Sequence, residues 1–249
     1  MRDHLAPMSP SQPTRREAIG VIAAALGMAI GGFAPSALAR GRGNSAPDGT
    51  LFAWSKVGER VWMASGYGGN AAVIAGGDGG VLIDAKLTYA GGSLRREAEE
   101  KAGRLAAAIN THHHADHTGG NWALEGLPRY AHRNATPRVL GQMNRYISNL
   151  KEAALQLEGD DPAKVRARGD AHELYKNVTK LKAPQFAPTE SIDGDRRLEL
   201  AGFAIELVSC GPAHTDNDIA VFVPDRKLLH TGDLVFNRLH PFIARDAGA

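Results

Sequence analysis

Cysteine is nearly missing from this chain: Cys210 is the only one in 249 residues. A lone thiol excludes an internal disulfide and any metal site built from two or four thiolates. Its place after an apolar stretch reads as a small buried residue at a strand end. Aromatic residues are sparse, at 6%. Trp54, Trp62 and Trp122 have no basic stripe beside them, so they read as core or rim rather than as a stacking platform for nucleic acid. A charge excess is missing too, since 29 Lys+Arg face 27 Asp+Glu. With Arg2, Asp3, Arg15, Arg16 and Glu17 set aside as part of a leader, the body is nearly neutral, which argues against nucleic acid or a polybasic membrane surface as partner. The weakly apolar run Ala18 to Phe33 falls short of the roughly 20 residues a spanning helix needs.

What is present begins with that leader. Thr14-Arg15-Arg16-Glu17 precedes the apolar run, and Ala37-Leu38-Ala39 supplies small residues at a cleavage site. The paired arginines resemble a twin-arginine export signal, so residues 1–39 are expected to be removed after Ala39 and the protein to be periplasmic or secreted. Residues 40–50 read as a linker. Residues 51–249, in a chain with 43% hydrophobic residues, are long enough for one domain with a sizeable core.

The first part of that domain reads as strands joined by Gly-rich turns: Leu51 to Ala64 as a pair, then Ala71 to Ala75 and Val81 to Asp84. Ser93 offers an N-cap to a helix that Gly103 ends. Leu105 to Ile109 is a short strand leading into Thr111, and a helix is expected from about His117–Asn121 to Gly126. Residues 137–182 read as a helical insertion, and Arg197–Leu200, Phe203–Ser209, Ile219–Val223 and Lys227–Leu229 as a second set of strands.

The stretch that organises the chain is Thr111-His112-His113-His114-Ala115-Asp116-His117-Thr118-Gly119-Gly120-Asn121. Unpartnered buried imidazoles and carboxylates are costly, and a multivalent metal compensates them well. His112 and His114, two apart in an extended loop, face the same way and can hold one ion. Asp116 and His117 follow where the chain turns, and can face a second. His113 points away, as a supporting residue behind the ligands. His214, in a Gly-Pro loop after a strand of the second half, supplies a third ligand to the first ion. Asp233 follows a later strand in Thr231-Gly232-Asp233. His132, His172 and His230 read as structural or solvated.

Thr111 to Asn121, Gly211 to Asp218 and Thr231 to Asp233, with the Gly-rich strands around Asn70 to Asp84, resemble the successive motifs of the metallo-β-lactamase fold superfamily. The resemblance covers about Leu51 to Asp233. It implies an α/β protein, an αβ/βα four-layer sandwich of two mixed sheets with helices outside and the metals at one edge. It also implies that His112, His114 and His214 hold the first ion, that Asp116 and His117 bind the second, and that Asp233 bridges both. The family's final helix-strand-helix portion, with its last histidine ligand, has no counterpart after Asp233; His240 reads as a loop or pocket-wall residue.

The resemblance implies a dinuclear zinc hydrolase, with iron as the other candidate metal. A metal-bound hydroxide would attack an ester, thioester, amide or lactam of a small-molecule substrate, with Asp116 as ligand and orienting catalytic group. Competing readings are a mononuclear iron sulfur dioxygenase of the same superfamily and an inactive, truncated relative keeping a structural metal.

Overall fold

The computed structural model describes residues 52–66, 68–156 and 180–237, with the single positions 160, 240 and 243. The leader and linker lie outside the described residues, as does the later part of the expected insertion, 161–179.

Seven strands form the first sheet in the spatial order of the chain: β1 (Ala53–Gly58), β2 (Val61–Ser65), β3 (Ala71–Ala75), β4 (Gly80–Ile83), β5 (Leu105–Ile109), β6 (Arg129–His132) and β7 (Glu190–Ile192). Tight Gly-rich turns make β1 to β4 an antiparallel meander. From β4 onward the pairing is parallel, which requires crossover segments between strands. The first crossover carries helix α1 (Gly91–Ala102). The second carries the histidine loop and a one-turn helix, α2 (Ala115–Thr118). The third carries α3 (Ala135–Gln156).

The second sheet holds β8 (Arg196–Leu200), β9 (Phe203–Ser209), β10 (Ile219–Val223) and β11 (Leu228–His230). Expected to be mixed as well, it is antiparallel through these four described strands, because each connection reverses the chain without a crossover.

Burial explains the layering. Along β9, Phe203, Ile205 and Leu207 point inward while Glu206 and Val208 point out, the period of two that a half-buried strand shows. These inward residues, with Ile219, Val221 and Val223 of β10, pack against Val61, Ile74, Val81, Ile83 and Ile109 of the first sheet. β3 is apolar throughout because both its faces are covered: Ala72 and Ile74 meet the second sheet, and Ala71 and Val73 meet Leu94 and Ala98 of α1. The architecture is therefore α/β with two facing sheets. Val208 and Leu229 stand exposed on the outer face of the second sheet.

Two helix starts differ from expectation. Ser93 lies inside α1 and caps nothing; its hydroxyl accepts from Arg96. The helix starts at Gly91, where a Cβ would meet Gly120 Cα at 2.6 Å, so close backbone contact rather than a side-chain cap fixes its origin. α2 begins at Ala115 and ends after one turn at Thr118, whose Oγ1 donates back to the carbonyls of His113 and His114. A 3-10 turn, Asn121–Leu124, follows separately. Cys210 sits just after β9 as expected but is half-buried. Among the described residues no helix is long and apolar enough to cross a membrane.

α3 supports the histidine loop from behind. Val139, Met143, Tyr146 and Ile147, on one stripe of the helix, pack with Phe186, Leu181 and Ala115 of α2.

Candidate metal centre

Every histidine-bearing segment of interest emerges at one end of the two sheets. β5 delivers the chain to Asn110 and Thr111, β4 delivers it to Asp84, the β9–β10 loop carries His214, and the turn after β11 carries Asp233. Ligand sites in open α/β proteins gather at such strand ends.

Three imidazole nitrogens converge there. His112 Nε2 and His214 Nε2 each lie 3.0 Å from His114 Nδ1. A second group, His112, His117 and Asp233, adjoins it, its ligand atoms all within 4.8 Å of one another. Asp233 lies between the groups, with Oδ1 3.2 Å from His117 Nε2 and Oδ2 3.6 Å from His214 Nε2. Asp116 stands beside the second group rather than within it: its side chain is 36% exposed and its Oδ2 is 3.6 Å from His117 Nε2. His240 is exposed and belongs to neither group.

The tautomers follow from Asp84, which is 1% exposed. A carboxylate only accepts. Asp84 Oδ1 accepts from Thr111 N, and Oδ2 accepts from both the Thr111 hydroxyl and His117 Nδ1, each at 2.8 Å. Having donated its proton to Asp84, the Thr111 oxygen accepts from His112 Nδ1 at 3.1 Å. His112 is thereby protonated on Nδ1 and turns the lone pair of Nε2 into the trio. His117, likewise donating through Nδ1, turns Nε2 toward two carboxylates, and that buried nitrogen lacks a well-aligned hydrogen-bond partner.

Three imidazole nitrogens converging on one point, and a buried imidazole nitrogen facing two carboxylates, form a donor set that a bound cation satisfies. Nitrogen and oxygen donors of this kind suit zinc or iron.

Electrostatics agrees. Burial, reinforced by repulsion among neighbouring imidazoles, holds the values of His112 and His114 well below the ordinary histidine range. Burial, aided by the Arg138 charge, lowers His113 to about 4. Burial also opposes protonation of His117, but the Asp84 and then the Asp116 carboxylates outweigh it and raise the group.

Stability of the metal-free protein should therefore fall as pH drops below the ordinary imidazole value, about pH 6.5, because the unfolded chain binds protons there that His112, His113 and His114 refuse in the fold. Above that value two groups oppose each other: the folded chain keeps a proton on His117 that the unfolded chain releases, whereas the buried Lys86 amine, lowered to about 7, refuses one that the unfolded chain keeps. Urea midpoints of chelator-treated protein between about pH 4 and about pH 7 check the acid limb; a flat profile there contradicts it.

His113 points away from the trio, as expected. Its Nδ1 accepts from Asn217 Nδ2 at 2.9 Å. The same amide reaches Asp216, which pairs with Arg138 of α3. His230 is also supporting, its Nδ1 accepting from Gly232 N at 3.3 Å beside Asp233. Asn110 and Asn121 exchange amide hydrogen bonds, and Asn110 also donates to the His117 carbonyl.

Asp84, Lys86, Asn110, Asn121 and Asn217 are site residues that sequence reasoning missed. Asp84 left a signal as a carboxylate closing the apolar run Val81–Ile83, and Asn121 and Asn217 lay inside the quoted motifs without a role of their own.

Residues 64–248 match the family model described as the metallo-beta-lactamase superfamily. The chain belongs to the metallo-beta-lactamase superfamily. The human acyl-coenzyme A thioesterase MBLAC2 is 27% identical over 188 residues, covering 70% of this chain and 60% of the human protein's length. The chain thus spans only about 60% of that relative. Among solved structures, a metallo-beta-lactamase from Pontibacter korlensis is 18% identical, covers 72% of this chain and 69% of its own, and gives a TM-score of 0.49. One from Hirschia baltica is 18% identical with coverages of 72% and 69% and a TM-score of 0.46. Within the superfamily domain, both histidine groups lie inside the matched residues.

Proposed function

We propose that this superfamily member is a metal-dependent hydrolase of acyl bonds in small molecules, with two zinc ions as its working complement. The observation that carries the reading is the placement of Asp233 between the His112–His114–His214 trio and His117. In this reading His112, His114 and His214 hold the first ion, His117 and Asp116 bind the second, and Asp233 bridges. The ions, when bound, lower the pKa of water toward neutrality and polarise the substrate carbonyl.

The chain's own residues supply the rest. Asp84 keeps the ligand tautomers in place through Thr111 and His117. Asp116, partly exposed beside His117, would orient the attacking water. Asp233, in a turn after a sheet strand, is carried by a rigid scaffold, as is His214. Of the ester, thioester, amide and lactam bonds this chemistry suits, a thioester is the favoured substrate, because the human relative is named as an acyl-coenzyme A thioesterase. The leader reading completes the proposal: twin-arginine export, cleavage after Ala39 and a periplasmic or secreted enzyme.

Metal analysis of natively purified protein, with a panel of acyl thioesters, esters and β-lactams, tests this. Expected are about two zinc ions per chain and thiol release from the thioester, lost in Asp116→Ala. About one iron per chain with oxygen consumption on a persulfide would replace the reading with a dioxygenase. Metal uptake without turnover on any substrate would favour a structural metal.

A further inference from the structure

One buried charge has no role in that scheme. Lys86 is 0% exposed and sits at a left-handed φ of 64°, a conformation that few non-glycine residues adopt. Burying an ammonium is costly, and burial lowers the Lys86 amine to about 7 against the opposing pull of the Asp116 and Asp84 carboxylates. Its Nζ donates to the carbonyl of Ala64 at 2.8 Å and to that of Gly69 at 2.6 Å. One carbonyl lies near the end of β2 and the other in the Gly68–Asn70 segment just before β3. That segment in turn lies across the second group. A Cβ at Gly69 would fall 2.2 Å from His117 Cε1 and Nε2, and one at Gly68 would fall 3.0 Å from Asp116 Cβ.

The backbone around Lys86 grips the same histidine from the other side. Ala85 N donates to the His117 carbonyl at 2.7 Å, Gly120 N donates to the Lys86 carbonyl at 3.0 Å, and Asp84 holds His117 Nδ1. Asp84, Ala85 and Lys86 thus enclose His117: one side chain orients the ring, the backbone fixes its place in the chain, and the amine ties down the Gly68–Asn70 segment that covers it.

We propose that Lys86 is a positioning residue for the second ion: by stapling the Gly68–Gly69 backbone onto His117 and Asp116, it keeps His117 Nε2 aimed at Asp233. The inference rests on the metallo-hydrolase reading but assigns a role to a residue that is not a ligand. It also makes a prediction opposite to simple charge counting. In its charged form an amine near a cation site repels the cation, so its removal should leave the second ion as tight or tighter if charge alone mattered. A staple predicts weaker binding.

Cobalt titration of the metal-free full-length protein, followed by visible absorption with chelator competition, separates the two. The wild type is expected to take two ions in sequence. Lys86→Met is expected to fill the first site normally and to bind the second ion about tenfold or more weakly, with an altered absorption band. Gly69→Ala, which pushes the segment off His117 while keeping Lys86, is expected to show the same selective loss and carries the test if Lys86→Met does not fold. Two-ion binding unchanged or tightened in Lys86→Met, or unchanged in Gly69→Ala, overturns this inference alone. A wild type that binds no cobalt overturns the metal reading and this inference with it.

Discussion

His214→Ala is expected to abolish uptake of the first ion and to lower kcat/KM by about a thousandfold. The magnitude follows from the several kcal/mol that a Lewis-acid metal contributes to carbonyl chemistry, each 1.36 kcal/mol being tenfold in rate. His214 is the informative choice among the three because it comes from the second sheet. Its removal leaves Thr111 to Thr118, with their bonds to Asp84, untouched. The metal-free protein should lose little stability, since one of three buried nitrogens crowded at 3.0 Å is taken away. Thermal unfolding with and without zinc separates the effects: the variant keeps the metal-free midpoint and loses the zinc-dependent rise. A variant that retains both zinc binding and turnover removes His214 from the site.

Asp84→Asn is the second large effect, and it works through protons rather than ligands. The amide oxygen can replace Oδ1 and still accept from Thr111 N. The amide nitrogen then replaces Oδ2 and donates where a carboxylate accepted. Donation to His117 Nδ1 forces that ring's proton onto Nε2, toward Asp233. Donation to the Thr111 oxygen frees the hydroxyl proton to turn toward His112 Nδ1, which moves the His112 proton onto Nε2, into the trio. One nearly isosteric change thus reverses two tautomers. Loss of such a supporting partner typically costs about 10–100-fold in metal affinity, and here both ions should be affected. Chelator competition measures the affinities, and nitrogen-15 shifts of the imidazoles report the tautomers directly. Unchanged tautomers in the variant would show that Asp84 does not set them.

Some of this was legible in the residues and some was not, for physical reasons. His112, His114, Asp116 and His117 announce themselves because short-range spacing in a loop fixes which side chains can meet. The strands were legible too, since β3 and β9 carry the continuous and alternating apolar patterns that their burial demands. His214 and Asp233 drew attention by following strands, but their meeting with His112, His114 and His117 depends on how the second sheet faces the first, a long-range fact no local pattern carries.

Asp84 and Lys86 were harder. A lysine after an apolar strand reads as a solvated charge, and only the left-handed backbone at both positions turns Asp84 toward Thr111 and Lys86 toward Gly69. Nothing local encodes that conformation in non-glycine residues. Ser93 misled in the other direction, because cap chemistry was available but the approach of Gly91 to Gly120 decided where α1 begins.

The central claim is that one end of the two sheets is a paired cation site whose ligands are already oriented by Asp84. Anomalous diffraction at the zinc edge from crystals of the zinc-loaded protein tests it most directly. The account predicts two peaks, one enclosed by His112 Nε2, His114 Nδ1 and His214 Nε2, the other between His117 Nε2 and Asp233. No peak at the trio, or a first ion bound through Asp84 instead, would contradict it.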